Sequence, residues 1–537
     1  MTEFDSFSYT PQDPQPAPQT TNAPAQRLHY AATKRDLSFA GFLLAVCILF
    51  MDCLFFAKKG LGFALCFAAF FLILHLYLRK KHRAATAFSV LCGLFALLGA
   101  ASFLFSADRL IILLLFLAEL LLSALTLRET MALRSGADLF SAVRDLCRIL
   151  FALTFGRLAF GCRALFWKQE AQGAVKNRAV LSVLYGLGGA IPVLCLLIPL
   201  LASSDAAFEG LLRRVDASTV IECLVAVLTG AGLFLLLFSR MISLEHCTAS
   251  APRTGTFRGL DPVIVGVFLS AVGAAYLLYL FSQLAYVFSA FRGLLPEDFT
   301  VAQYARRGFF EMCRIVLLNL CMVLLGARFC RRREDGKLSG MIRALLVFLC
   351  LFSAAMVAAA LSKMILYVRS FGMTRLRLLT SVFMVFLGIV VVLAALRLFL
   401  PRLPLWKLAV TVGTVCLLTV GFVNVDRVVA SYNVRAYQTG ALDTVDMKTL
   451  EELSDAAVPY LTELLSDPDE WIADQAAAAL GERAQTLFDV KKHEDGSAEL
   501  CERGFDLRAF NLTRERAKRV IRENWAQIQA ALPKTRS

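Results

Sequence analysis

The sequence predicts an all-α polytopic transmembrane helix bundle of about 11 spans, followed by a small C-terminal helical, HEAT-like extramembrane domain. Three observations carry this prediction. Between residues 37 and 425 the chain offers eleven apolar stretches, most of them 18 to 25 residues long, separated by short basic hinges. A hydrocarbon core of roughly 30 Å needs about 20 helical residues to cross it. Runs such as LIILLLFLAELLLSALTL (110–127) lack the two-residue alternation of a barrel strand, and only helices or closed barrels satisfy every backbone N–H and C=O inside lipid. Finally, the chain is 58% hydrophobic with a mean hydropathy of +0.64, well beyond a soluble domain.

Taken in order, residues 1–35 include PQDPQPAPQTTNAPAQ, with too little apolar content to fold. This reads as a disordered Pro-rich tail ahead of an uncleaved first anchor, not as a signal peptide. The transmembrane part (36–425) divides into spans at 37–57, 60–78, 84–105, 110–127, 179–202, 220–239, 262–289, 308–329, 341–365, 378–399 and 408–425. The first four form tight hairpins. Within the longer 128–178 connector, segment 138–167 mixes Leu and Phe with Arg at helical spacing, which suits an amphipathic helix in the headgroup plane. A twelfth, very polar span is the competing reading of that segment.

Charge is partitioned unevenly. Residues 1–425 carry 41 Lys+Arg against 22 Asp+Glu, and residues 426–537 carry 15 against 20. The cations sit in hinges, where they set topology and meet anionic headgroups, so the basic balance argues against nucleic-acid binding. Counted in alternate hinges, they number 28 on the side of the N-terminus and 11 on the other. That bias places the N-terminus in the cytoplasm and, after eleven spans, the C-terminal domain outside. One span more or fewer would reverse the domain.

Residues 426–537 follow another pattern. DMKTLEELSDAAVPYLTELLSDPDEWIADQAAAALGER steps its apolar residues by three and four. Asp467, Pro468 and Glu470 read as an N-cap, a first-turn proline and an acidic partner. The stretch is similar to one unit of a HEAT-type repeat, short of the three that usually make a solenoid. KKHEDGSAELCERGFD reads as a polar connector, and a last helix near 513–531 is capped at the Asn511-Leu-Thr513 triplet.

Three stretches, LPEDFTVAQYARRGFFEMCRIVLLNL (295–320), NVDRVVASYNVRAYQTGALDTVDMKTLEELSDAAVPYL (424–461) and FNLTRERAKRVI (510–521), resemble a family of bacterial polytopic membrane proteins, domain of unknown function 4173, related to domain of unknown function 4153. The resemblance implies a bundle in the bacterial cytoplasmic membrane. It implies no activity.

Two candidate sites stand out. Arg307, Glu311 and Arg314, preceded by Arg306, stand four and three residues apart and share one helix face. They form either a structural ion-pair ladder or a clamp for an anionic headgroup or substrate. Glu119 lies nine residues into an 18-residue span, where a charge costs roughly 2.5–3.5 kcal/mol on insertion scales. It must be protonated, paired or facing water, and serves either a proton-coupled pathway or a buried hydrogen bond. Asp52 can reach the interface near Lys58, and His75 beside 79–83 is interfacial. The fifth span, with Gly186, Gly188, Gly189, Pro192 and Pro199, is kinked or unwound.

No nucleotide-loop, zinc-protease, nucleophile-elbow or dinucleotide motif occurs. The fifteen cysteines include no C-x-x-C pair, and no His cluster completes a metal set. No cofactor or catalytic residue is expected. The sequence favours a non-enzymatic scaffold or sensor, in contact with the lipid bilayer, that offers residues 426–537 to an envelope or membrane protein. The alternative is a transporter or lipid-handling protein that uses Glu119.

Overall fold

The structure is a computed structural model. It describes residues 34–56, 60–79, 85–106, 108–131, 139–155, 217–245, 259–291, 309–333, 335, 337–492, 498–504 and 506–532. Residues 1–33 and the fifth expected span, 179–202, lie outside these.

The described chain is almost entirely helical. The membrane helices are α1 (Lys34–Phe55), α2 (Leu61–Tyr77), α3 (Ala87–Ser102), α4 (Arg109–Thr130), α6 (Ala217–Glu245), α7 (Pro262–Phe291), α8 (Phe309–Phe329), α9 (Gly340–Phe371), α10 (Arg375–Phe399) and α11 (Leu405–Val423). Eight are long and apolar enough to cross a membrane, and α2 and α3 are shorter apolar helices. Each falls on an expected span. The protein is an all-α, multi-pass membrane protein.

Polar side chains fix which helix ends lie together. At one end of the bundle, Arg35 at the start of α1 pairs with Glu245 at the end of α6 at 3.7 Å and also donates to Tyr77 O at the end of α2. Leu260 bridges to Cys330. At the other end, Arg375 at the start of α10 lies 3.3 Å from Asp108, the N-cap of α4. Helices α4 and α6 therefore both run from the second end to the first. In mid-bundle the polar contacts are uncharged. Tyr276 Oη donates to Asn319 Oδ1 at 2.6 Å, and Asn319 Nδ2 donates to Ser353 Oγ at 3.0 Å, linking α7, α8 and α9. Such bonds hold helices together where lipid offers no hydrophobic driving force between them.

Part of the amphipathic segment is described. Helix α5 (Leu139–Cys147) continues through a wider π-type turn (Arg148–Ala152). Ala142, Asp145 and Ile149 face inward, and Phe140, Val143 and Phe151 face outward. The inward contact is ionic. Arg128, fully buried at the end of α4, donates from Nε to Asp145 at 2.9 Å and from Nη1 to Glu129 at 2.8 Å. Lys407 of α11 lies 3.6 Å from the other oxygen of Glu129, and the Arg128 guanidinium sits over the Trp406 ring.

The C-terminal part begins without a linker. Asn424, at φ 62°, turns the chain directly from α11 into α12 (Val425–Gln438), and its side chain accepts from Asp426 N and Arg427 N. Short helices α13 (Met447–Glu451) and α14 (Val458–Glu463) lead to α15 (Glu470–Leu487). The N-cap of α15 is Asp469, which accepts from Trp471 N. The expected start moves by two residues, because Asp467 instead holds the turn by accepting from Asp469 N at 3.0 Å. The expected polar connector is in part a β-hairpin. β1 (Phe488–Lys492) pairs antiparallel with β2 (Ala498–Glu502), Val490 opposite Leu500. Arg503 supports the hairpin's base, donating to Asp489 and to Thr486 O. Helices α16 (Leu512–Glu523) and α17 (Trp525–Ala531) complete the domain. The expected cap is present, since Asn511 Oδ1 accepts from Thr513 N at 2.9 Å. The apolar core does not break at 425/426. Val429, Leu461, Leu480, Phe488 and Ile521 belong to one buried cluster with Phe50, Phe63, Phe67 and Phe103 of the bundle.

Asp145→Ala should lower the detergent melting temperature, by a cost of about 1.5–3 kcal/mol for a lost charge-assisted bond while Glu129 remains. Asp145→Asn, which keeps an acceptor, should lose less. Two variants with wild-type melting would show that α5 is not held through Arg128.

Candidate functional site

Two places combine buried polar groups with an opening or a joint. The first is a cavity of about 100 Å³ between α1, α2, α4 and α6. Its walls are mostly aromatic and aliphatic, including Phe50, Phe67 and Phe116, with two charged exceptions, Glu119 and Arg240. Both are buried. The Glu119 carboxyl turns against α3 at Gly99, where a Cβ would collide with Oε1. Glycine is what lets that carboxylate lie there. Arg240 has no hydrogen-bond partner for Nε or Nη2 among the described residues. A cavity of this size holds a few waters or a small solute, at about 30 Å³ per water. Glu119 and Arg240 both line this mostly apolar space, with no direct bond between them, and buried polar groups of this kind favour a polar occupant.

Arg240 escaped the sequence reading. It stands one residue beyond the expected sixth span and was counted among hinge cations. Helix α6 runs on to Glu245 and carries Arg240 inside, with Met241, Ile242 and Leu244 buried beside it. The apolar residues of SRMISLE are the signal that could have extended the span.

The other predicted residues separate. Glu311 and Arg314 pair at 3.0 Å, but both side chains are well exposed. Exposed pairs of this kind contribute about 0–1 kcal/mol. Arg306 and Arg307 lie outside the described residues, as do the glycines and prolines of the fifth span. Asp52 pairs with Arg508 of the C-terminal part, and Lys58 lies outside the described residues. His75 is half-buried and its Nδ1 meets Phe71 O at 2.8 Å. Among the described residues, no three of His, Cys, Asp or Glu come together as metal ligands.

The second place is the seam between the bundle and residues 426–532. The last carbonyls of α3 are met by its own following residues, but the segment beyond it presents four successive carbonyls, those of residues 103–106, that need donors from elsewhere. Every one is met from the C-terminal side. Phe103 O and Ser106 O accept from Asn511 Nδ2 at 3.3 and 3.2 Å. Leu104 O accepts from Leu512 N at 2.9 Å. Phe105 O accepts from Thr513 Oγ1 at 2.7 Å and from Asn424 Nδ2 at 2.8 Å. Nearby, Leu61 N donates to Phe510 O at 2.9 Å, so closely that Gly60 has no room for a Cβ.

An ionic clamp closes the seam. Arg375 grips the buried Asp426 with Nε and Nη2, at 2.5 and 3.0 Å, and also donates to Glu452 O. Asp426 Oδ2 accepts from Ser454 N at 2.9 Å. On the far side Arg508 joins Asp52 and Asp506. Burial pushes the Asp506 carboxyl up, but the Arg508 hydrogen bonds outweigh it and hold the group below the ordinary carboxylate range. Its contribution to the seam is therefore complete above that range and is lost only as strong acid protonates the folded form. Sequence could not pair Arg375 with Asp426, which stand 51 residues apart.

Asn511 has two jobs, and substitution separates them. Aspartate caps helices as well as asparagine does, but it cannot donate to Phe103 O and Ser106 O. Asn511→Asp should therefore destabilise the seam about as much as Asn511→Ala, by roughly 1–3 kcal/mol for buried carbonyls left unpaired. Limited proteolysis within 426–532 and detergent melting would show it. A wild-type Asn511→Asp protein would mean that Asn511 acts only as a cap.

Comparison with known proteins agrees with this architecture. The model of the family described as "Domain of unknown function (DUF4153)" matches residues 38–464, from the first span through α14. The match is to the second of the two families named from the sequence, and nothing extends it to the first. No curated protein and no solved structure matches. With a match over most of its length and helices on the expected spans, the chain belongs to the DUF4153 family.

Proposed function

We propose that the protein is a non-enzymatic scaffold or sensor of the bacterial cytoplasmic membrane that holds its C-terminal helical domain rigidly at one face for an envelope or membrane protein partner. The observation that supports this most is the seam, in which four consecutive carbonyls of the bundle are all met by donors from the C-terminal part. A freely tethered module needs no such fit. The outer surface of that part offers Trp471, 59% exposed at the start of α15, and exposed aromatic side chains are favoured anchors of protein interfaces. The orientation proposed is an N-terminus in the cytoplasm and a C-terminal domain outside. Its support is the concentration of Arg331, Arg332, Arg333, Lys337, Arg343 and Arg402 at the end of the bundle away from the domain, since cations remain cytoplasmic. The segment of Arg306, Arg307, Glu311 and Arg314 is proposed as a contact with anionic headgroups on the domain's side.

Two single cysteines in a cysteine-free background test the orientation, Glu470→Cys on the domain and Asp335→Cys in the loop at the opposite end. Both positions are exposed. In intact cells a membrane-impermeant maleimide should label the first and not the second. The reverse pattern would place the domain in the cytoplasm.

The cavity supports a second reading, a transporter or lipid-handling protein in which Glu119 and Arg240 act together. The two readings part in a complementation assay of a strain lacking the protein. If the cavity carries the function, Glu119→Gln and Arg240→Gln proteins that melt normally should fail to complement, and Trp471→Ala should succeed. If the scaffold reading holds, the pattern is inverted.

A further inference from the structure

At the end of the bundle away from the C-terminal domain, helices α8, α9 and α10, the loop between α8 and α9, and the starts of α5 and α11 line a cavity of about 530 Å³. Its rim carries five cations: Arg328, Arg332, Lys337, Arg343 and Arg397. Among the described residues no Asp or Glu lines it. The floor is apolar, built from residues such as Leu324, Leu398 and Phe399, and Phe399 is 59% exposed, so the floor runs on into the outer apolar surface of the bundle.

Cations at helix ends have an ordinary explanation, which covers only part of this rim. Arg328 and Arg397 stand in the last turns of α8 and α10, where a positive charge offsets the helix dipole. Arg343 stands in the first turn of α9, where the dipole disfavours it. Arg332 and Lys337 come from the loop and gain nothing from a helix end. With Arg328 and Arg397 these three bring five cations to the lining of one cavity.

We propose that this cavity is a specific site for one anionic glycerophospholipid, its phosphate among the five cations and its acyl chains on the Leu324–Leu398–Phe399 floor. A basic pocket between membrane helices at headgroup level is the arrangement that selects acidic lipids, and guanidinium groups match phosphate geometry. The apolar floor distinguishes a lipid from a free phosphate, which has no use for it.

Full-length protein in neutral detergent tests the site by native mass spectrometry and by melting temperature. Phosphatidylglycerol should be retained as a one-to-one adduct and should raise the melting temperature, whereas phosphatidylcholine should do neither. An Arg332→Ala, Lys337→Ala, Arg343→Ala triple variant should lose at least tenfold in phosphatidylglycerol retention. A matched triple variant, Arg331→Ala, Arg333→Ala, Arg402→Ala, removes three exposed cations from the same end outside the cavity and should retain it. Lys337→Glu, a single loop substitution, gives the same reading if the triple variant does not fold. Equal loss in both triple variants would reduce the effect to general headgroup attraction and overturn the site. Inorganic phosphate that reproduces the melting shift and displaces the lipid would make it a free-anion site and overturn the lipid assignment.

Discussion

The carbonyl groups of residues 103–106 are the constraint on which the relation between bundle and domain depends. In water, the carbonyls at a helix end are satisfied cheaply by solvent. Here Phe103 and Ser106 are buried and Leu104 and Phe105 half-buried, and a buried carbonyl left unpaired would cost roughly 1–3 kcal/mol. Asn424, Asn511, Leu512 and Thr513 supply the donors. Two of these residues also organise their own surroundings, Asn424 by turning α11 into α12 and Asn511 by capping α16. The residues that make these bonds thus also start two helices of the domain while joining the two parts. The joint has no hinge residue of its own.

Charges are sorted by depth in a way that follows from the low dielectric of the membrane. Ionic contacts gather at the two ends. Arg128, Glu129, Asp145 and Lys407 form one group, and Arg375, Asp108 and Asp426 the other. Each contains paired opposite charges, which is how buried ions are tolerated. Between the ends, α7, α8 and α9 are joined by neutral Tyr, Asn and Ser. Glu119 and Arg240 break the rule. They are buried without a direct bond to each other, so the exception coincides with the cavity. Polar residues kept inside a membrane at such cost usually serve function.

Much of this was legible in the sequence, and the limits have physical causes. Span positions could be read because hydropathy over about 20 residues is a local property set by bilayer thickness. The cap at Asn511 could be read because capping involves neighbours three residues apart. The second role of Asn511, toward carbonyls some 400 residues earlier, leaves no local trace. The same holds for Arg375 with Asp426 and for Arg508 with Asp52. The hairpin leaves only a weak sequence signal, because FDVK alternates apolar and polar over just four residues and the strands take their support from Arg503 and Trp525, whose Nε1 donates to Ala498 O. A hydropathy window closes at a charge, which leaves Arg240 outside the sixth span. The helix instead continues, with its apolar face turned to the bundle.

The cavity and the seam are also linked by packing. Phe50 and Phe67 line the cavity. Both rings touch Phe63, and Phe63 and Phe67 both touch the ring of Phe103 at about 5 Å. The carbonyl of Phe103 is one of the four held by the domain. Contiguity alone is not coupling, which requires an element with two arrangements biased from both sites. The aromatic cluster nevertheless limits what such an element could be. Close-packed rings do not deform continuously, so an occupant that displaced Phe50 or Phe67 would have to move Phe103 or stop at it. Moving Phe103 strains the Asn511 bond, whose other half caps α16. A rearrangement at the cavity would therefore reach the domain first at the start of α16, before the hairpin or α15.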